Sequence, residues 1–376
     1  MAAKTTITMN QQKNQYFPET VTHPGFTLEE KLKELGMGPK EFAVRTGKPE
    51  KTISHILAEN SSITPEMAVL FEDVLHIPAE FWLNRQKQFN EALARHKRLE
   101  SLNNAKEWVK NFPYPDMATL GWVNSTRKPE EKVKNIFKFF SIATPESFYD
   151  YYFRKKLKVS FRISLANTRK PYAFAAWLRQ GELQAAGLNA EEYNAKKLES
   201  SLSEIKTIMA MHPEDFFMQL QQICLDAGVK VVYTPCLPGA TVHGSTRWIG
   251  DTPLIQLSAR YKQNDIFWFT FFHEAAHILK HGKKIVTLEN VDYPDEDNEK
   301  EKEADAFAIH WTLSEEQEKQ ILDSNYSDDE TIIRFARKFN IHPAIIIGRL
   351  QHKKIIRYTA GRKFIKSIDL NTLSGN

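Results

Sequence analysis

The chain has 376 residues, 41% of them hydrophobic and 26% charged, the composition of a globular protein with room for two or three cores. Its formal net charge of +4 is too small to argue for nucleic acid by itself. No apolar run could span a bilayer, residues 1–15 lack the apolar core of a secretory signal, and two cysteines, Cys224 and Cys236, cannot staple a fold this size; the sequence predicts a cytoplasmic protein with free thiols and no membrane partner.

Residues 1–22 read as a flexible lead-in. From Leu28 the pattern becomes that of short helices. Leu28, Leu32 and Leu35 share one helical face, and Gly36 with Gly38 ends that helix. Pro39 opens a second helix with Phe42 and Ala43 inward, Gly47 supplies a turn, and Pro49 opens a third carrying Ile53, Ile56 and Leu57. Thr64-Pro65 is a cap followed by proline at the first helical position, ahead of Met67, Leu70, Phe71, Val74 and Leu75. A fifth helix starts at Ile77-Pro78 with Phe81, Trp82 and Leu83. Five helices with a turn between the second and third are what a helix-turn-helix over residues 23–90 requires. Its third helix would offer Lys51, Thr52, Ser54 and His55 to phosphates and base edges. A small helical bundle used for dimerisation is the plainer alternative.

Residues 91–212 read as a helical middle region. One long charged helix runs from Arg85 through Trp108, and others are expected at 129–142, 145–153, 171–186 and 190–210. The aromatic group Phe137, Phe139, Phe140, Phe148, Tyr149, Tyr151, Tyr152 and Phe153 fits a core or a domain contact rather than a ligand box. Basic runs at 154–158 and 353–366, and an acidic one at 289–305, read as solvated faces. Beyond Pro213 the order changes: an amphipathic helix over 216–227, a strand over 229–233, a hairpin of 246–249 and 253–257 about Gly250-Asp251, then helices to about Gln351 and a tail over 356–376. The fold class is α+β and predominantly helical, with a small sheet in a C-terminal domain over 213–355.

His273 and His277 stand four residues apart, a spacing that on a helix puts both imidazoles on one face and lets them grip one cation. Glu274 lies one step around, able to reach a metal-bound water without binding the metal. Metal-assisted hydrolysis needs this: zinc lowers the pKa of its water to about 7 and a carboxylate takes the proton. A catalytic zinc also needs a third protein ligand. Glu301 and Asp305 are again four apart, so one could bind the metal while the other braces a ligand histidine. His281, four residues further on, could stabilise an oxyanion, pair with an acidic side chain, or cap helix carbonyls before Gly282. Cys224 and Cys236 have no ligand spacing.

His273-Glu-Ala-Ala-His277 followed by Glu301-Lys-Glu-Ala-Asp-Ala-Phe-Ala308 resembles the ImmA/IrrE metallo-endopeptidases, a gluzincin-like group. The resemblance extends over about 215–355, through Pro253–Ser258, Phe267–Phe272, Phe335–Ile341 and Ile347–Leu350. It implies a Zn2+ cofactor held by His273, His277 and Glu301, with Glu274 as general base. Glu303 competes for third ligand; Glu301 is preferred because its spacing to Asp305 matches the usual glutamate-to-aspartate brace. Upstream, His23-Pro-Gly25, Thr52-Ile-Ser54, Ile63–Met67 and Pro78–Asn84 resemble the HigA/VapI antidote branch of the Cro/C1-type helix-turn-helix family. That likeness implies a dimeric repressor of double-stranded operator DNA, often an antitoxin. Glu50, where serine is usual at the start of the recognition helix, is a departure that bears on operator sequence.

Two functions follow. In the first, a DNA-binding regulator carries a zinc endopeptidase that cuts itself or a partner protein, a repressor or toxin, to relieve repression. An extended substrate is expected to add to the Leu254–Leu257 strand. In the alternative, a non-enzymatic HigA-type antitoxin or repressor uses a peptidase-like domain to sense a ligand or bind a toxin.

Overall fold

A computed structural model of the chain describes residues 21–157, 170–240, 242–258, 260–284, 287–288, 295–324, 328–368 and 370. It divides into two compact units, 1–104 and 105–376. Most of the expected lead-in, 1–20, lies outside the described residues.

The first unit holds α1 (Pro24–Glu34), α2 (Pro39–Thr46), α3 (Glu50–Leu57), α4 (Pro65–Leu75) and the start of α5 (Ala79–Trp108). Proline opens α1, α2 and α4, where its missing N–H goes unneeded and its fixed φ suits the helix. The orphan amides beside it are capped: the His23 ring accepts from the Gly25 N–H at 3.0 Å, and the Thr64 hydroxyl from the Met67 N–H at 3.3 Å. Gly47 ends α2 in the left-handed region, at φ 62°. These breaks turn the helices so that Leu28, Phe42, Ile53, Ile56, Phe71 and Trp82 meet in one buried core. Each large side chain there contributes roughly 2 kcal/mol through burial. Gly25 allows the closest approach, since a Cβ there would come within 2.0 Å of the Ile56 carbonyl oxygen. Two expected core residues face outward instead: Leu35 is 46% exposed and Phe81 40%. Leu35 is the C-cap of α1, past the last full turn against the core.

The second unit continues with α6 (Tyr114–Thr119), α7 (Pro129–Phe140), α8 (Pro145–Phe148) leading into a π-type turn (Tyr149–Leu157), α9 (Pro171–Ala186), α10 (Ala195–Met211) and α11 (Phe216–Asp226). The helix expected from 190 starts at Ala195, because the Asn194 side chain accepts from the Lys197 N–H at 3.1 Å and caps it there. The aromatic group is mostly core, with Phe140, Phe148 and Tyr152 buried and Phe140 edge-on to Phe148 at 4.9 Å. Tyr149 and Tyr151 are exposed. The side chains of the basic run 154–158 lie outside the described residues.

Next come β1 (Lys230–Tyr233), β2 (Gly244–Ile249), β3 (Thr252–Leu257), α12 (Asn264–Ala276) with a π-type turn over His277–His281, β4 (Thr287–Leu288), α13 (Asp295–Thr312), α14 (Glu315–Leu322), α15 (Asp329–Phe339) and α16 (Pro343–His352). The strand order is β1-β3-β2-β4. The expected hairpin is β2–β3, turning at Gly250 with φ 64°. β3 pairs in parallel with β1, Val231 opposite Ile255, and antiparallel with β2, Thr246 opposite Ile255. Both edges of β3 are therefore occupied, and the expected addition of a substrate strand to Leu254–Leu257 is corrected: its backbone groups are already used.

α12 is apolar almost all round and is buried accordingly, with Phe267, Trp268, Phe271 and Phe272 in the same core as Val231, Ile255, Ile346 and Leu350. Leu198, Leu202 and Ile205 of α10 join that core. So do Ile368 and Leu370, where the Ile368 N–H donates to Lys262 O at 2.8 Å. The fold as a whole is mostly helical, with a small sheet near the C-terminal end.

Candidate metal centre

α12 and α13 pack side by side, and their contact brings the two halves of the motif together. His273 lies in the last turn of α12, and His277 is its C-cap. Both rings are buried, and their Nε2 atoms are 3.0 Å apart. Glu301 reaches across from α13, with Oε2 3.2 Å from His273 Nε2 and Oε1 3.6 Å from His277 Nε2. Among the described residues, His273, His277 and Glu301 form a cluster whose ligand atoms all lie within 4.8 Å of one another.

The partners behind the cluster fix what it can bind. His273 Nδ1 is 2.9 Å from Asp305 Oδ1. A carboxylate only accepts, so His273 donates to Asp305 from Nδ1, and a ring with that one proton offers its Nε2 lone pair to the cluster. Burial first, and then the neighbouring His273 ring, hold the His277 imidazole well below the usual histidine range. It is neutral and has a lone pair to offer. Two imidazole nitrogens and a carboxylate turned to one point suit a divalent cation, and a two-histidine, one-glutamate set is that of a hydrolytic zinc with a coordination position left over. Glu303, the competing candidate, lies elsewhere: its Oε2 is 2.9 Å from His281 Nε2, and its side chain is 61% exposed. His281 in turn has Nδ1 3.0 Å from His277 Nδ1. Of its three expected roles, the geometry is that of pairing with an acidic side chain.

Glu274 is fully buried on the side of α12 that faces β2. Its Oε2 is 2.6 Å from the Thr246 hydroxyl, and a Cβ on Gly244 would come within 2.6 Å of its Oε1. Strand β2 thus forms a cradle for the carboxylate, with a hydroxyl on one oxygen and room made by a glycine at the other. On the opposite face of β2, Arg247 is buried and donates to Leu178 O at 2.8 Å and Gln256 Oε1 at 2.7 Å, tying the strand to α9. Burial lowers its guanidinium to about 10. Thr246, Gly244 and Arg247 carried no signal in the sequence, since a threonine and a glycine in a strand have no motif and Glu274 lies 28 residues beyond Thr246.

In the first unit, α3 buries Ile53 and Ile56 and turns Lys51, Ser54 and His55 to the surface, with Thr52 half-buried. The expected DNA-contacting side chains therefore avoid the core face.

A helix-turn-helix module ahead of a buried two-histidine, one-glutamate centre defines a regulator with a peptidase-like domain. Residues 224–351 match the peptidase family described as the IrrE N-terminal-like domain. The chain is 34% identical over 71 residues to the uncharacterized HTH-type transcriptional regulator YddM of Escherichia coli (strain K12), covering 19% of this chain and 76% of that protein. The crystal structure of a putative antidote protein of a plasmid maintenance system from Nostoc punctiforme PCC 73102 matches with 25% identity and a TM-score of 0.22, over 22% of this chain and 92% of that one. The chain belongs with the HTH-type transcriptional regulators and carries an IrrE N-terminal-like domain behind that module. No helix among the described residues is long and apolar enough to cross a membrane.

Proposed function

We propose that this protein is a DNA-binding transcription regulator whose C-terminal domain is a zinc-dependent endopeptidase, cutting itself or a partner regulator to relieve repression. The observation that carries the reading is the pairing of His273, His277 and Glu301 in one buried cluster with a carboxylate, Glu274, held beside it by Thr246. A pure scaffold has no need of a buried carboxylate one residue from a ligand histidine.

Zinc bound by the three side chains would supply Lewis acidity towards a scissile carbonyl and a water. Glu274 would accept the proton of the attacking water and return it to the leaving amine. Thr246 orients that carboxylate by donating to Oε2. Asp305 holds the His273 ring in the tautomer that a ligand needs. The residues on α3, Lys51, Thr52, Ser54 and His55, would read the operator as a dimer does, two recognition helices one turn of duplex apart.

Glu274→Gln tests the reading. The amide keeps the shape and leaves the three ligands intact, but it cannot take a proton. The variant should bind zinc and DNA as the parent does and fail to derepress its promoter, with no fragment of itself or its partner formed. Loss of a general base costs on the order of a hundredfold or more in rate. Normal induction by zinc-loaded Glu274→Gln would remove the peptidase and leave a ligand sensor or toxin-binding antidote in its place.

A further inference from the structure

The two ligand histidines are braced differently. His273 rests directly on a carboxylate, Asp305. His277 rests on another imidazole: its Nδ1 is 3.0 Å from His281 Nδ1, and His281 Nε2 is 2.9 Å from Glu303 Oε2. The His281 side chain is only 5% exposed, whereas Glu303 is at the surface.

The direction of each bond in this chain follows from its outer end. Glu303 is a carboxylate and can only accept, so a His281 ring bearing one proton carries it on Nε2. That leaves His281 Nδ1 bare and able only to accept, so His277 must donate from Nδ1. A His277 ring bearing that one proton then has none on Nε2, the atom that lies among His273 and Glu301. One exposed carboxylate thus dictates, through two rings, which nitrogen lone pair is turned into the cluster. The π-type turn over His277–His281 is where the two rings come to face each other through their Nδ1 atoms, and such turns gather at functional sites.

We infer that His281 is a positioning residue for the metal centre: with Glu303 behind it, it fixes His277 in the Nδ1–H tautomer and so prepares Nε2 as a ligand. Asp305 does the same for His273 in one step, so both ligands enter the site with their lone pairs already aimed. Removing the brace leaves the ligand in place but lets its ring rotate and its proton move to the wrong nitrogen. Such partners commonly account for ten- to hundredfold in metal affinity. This inference rests on the metal reading proposed above.

The test uses the full chain, stripped of metal and titrated with zinc against a competing chelating dye at pH 8. His281→Asn places an amide oxygen near the former Nδ1, keeping an acceptor for His277, and should bind zinc within about threefold of the parent. His281→Phe keeps bulk but has no acceptor, and should bind ten- to hundredfold more weakly. Glu303→Gln, a surface change that leaves the core untouched, should fall between them, with thermal unfolding like the parent's. In a histidine-labelled, metal-free sample, proton–nitrogen correlation should find His281 protonated on Nε2 and His277 on Nδ1. Equal zinc affinity in parent and His281→Phe would overturn the brace while leaving the metal site standing. His281→Asn as weak as His281→Phe, or His281 protonated on Nδ1, would also overturn it. A parent chain that takes up no zinc would sink the metal reading and the brace with it.

Discussion

The hydroxyl of Thr246 lies 2.6 Å from Oε2 of Glu274 and 3.0 Å from the backbone oxygen of the same residue. With one proton to give, the hydroxyl donates to the nearer acceptor, the carboxylate of the proposed general base. Thr246→Val removes the donor at nearly constant shape and should slow derepression roughly tenfold, the equivalent of about 1.4 kcal/mol in the barrier. Thr246→Ser should restore it. Gly244→Ala drives a methyl against Glu274 Oε1 and Thr270 and should silence cleavage with zinc still bound. Fragment formation in cells, beside zinc content of the purified variants, checks all three; a Thr246→Val chain as active as the parent would remove the clamp from the mechanism.

Metal content should separate the two glutamates. The purified protein is expected to hold about one zinc per chain, lost in His273→Ala, His277→Ala and Glu301→Ala, because each removes a donor outright. Glu303→Ala should retain that stoichiometry at lower affinity, since the Glu303 carboxylate pairs with His281 and is not among the three clustered donors. Asp305→Ala should weaken binding ten- to hundredfold by freeing the His273 ring. Elemental analysis with full metal in Glu301→Ala and none in Glu303→Ala would exchange their roles.

DNA binding should depend on α3 and fall steeply with salt. Replacing Thr52, Ser54 and His55 together should abolish sequence preference and leave the helical circular dichroism unchanged, because Ile53 and Ile56 carry the core face. Mobility shifts with operator and random duplex check this. Undiminished operator preference in the triple variant would move recognition to another surface.

Acid should destabilise the second unit. His212, His243 and His342 are each held down to about 4, chiefly by burial. His212 Nδ1 accepts from the Trp268 indole at 3.2 Å, and His342 Nδ1 from the Ala344 N–H at 3.2 Å, bonds that suit the neutral rings. Between pH 6.5 and 4 the unfolded chain binds more protons than the folded one, so stability present above about pH 6.5 is lost as pH falls towards 4. Denaturant midpoints of the metal-free chain should drop over that window, and His212→Asn should flatten the drop. A midpoint unchanged from pH 7 to 4.5 would contradict it.

Much of this protein is local in the sequence. Proline at helix starts, Gly47 after α2, the Gly250 hairpin and the four-residue spacing of His273 and His277 all act within one or two turns of chain, where backbone geometry alone decides. Glu301 with Asp305 was legible for the same reason. What the sequence left open depended on contacts between distant segments. Only packing of α13 on α12 put Glu301, rather than Glu303, beside both Nε2 atoms, and only the sheet order enclosed β3 on both edges. The cradle of Gly244 and Thr246 about Glu274 is likewise tertiary, and although His281 lies only four residues from His277, its anchoring on Glu303 comes from α13. Periodicity tells which face of an element is apolar. Which polar atom meets which is set by the orientation of one packed element on another, and that is decided by the whole core at once.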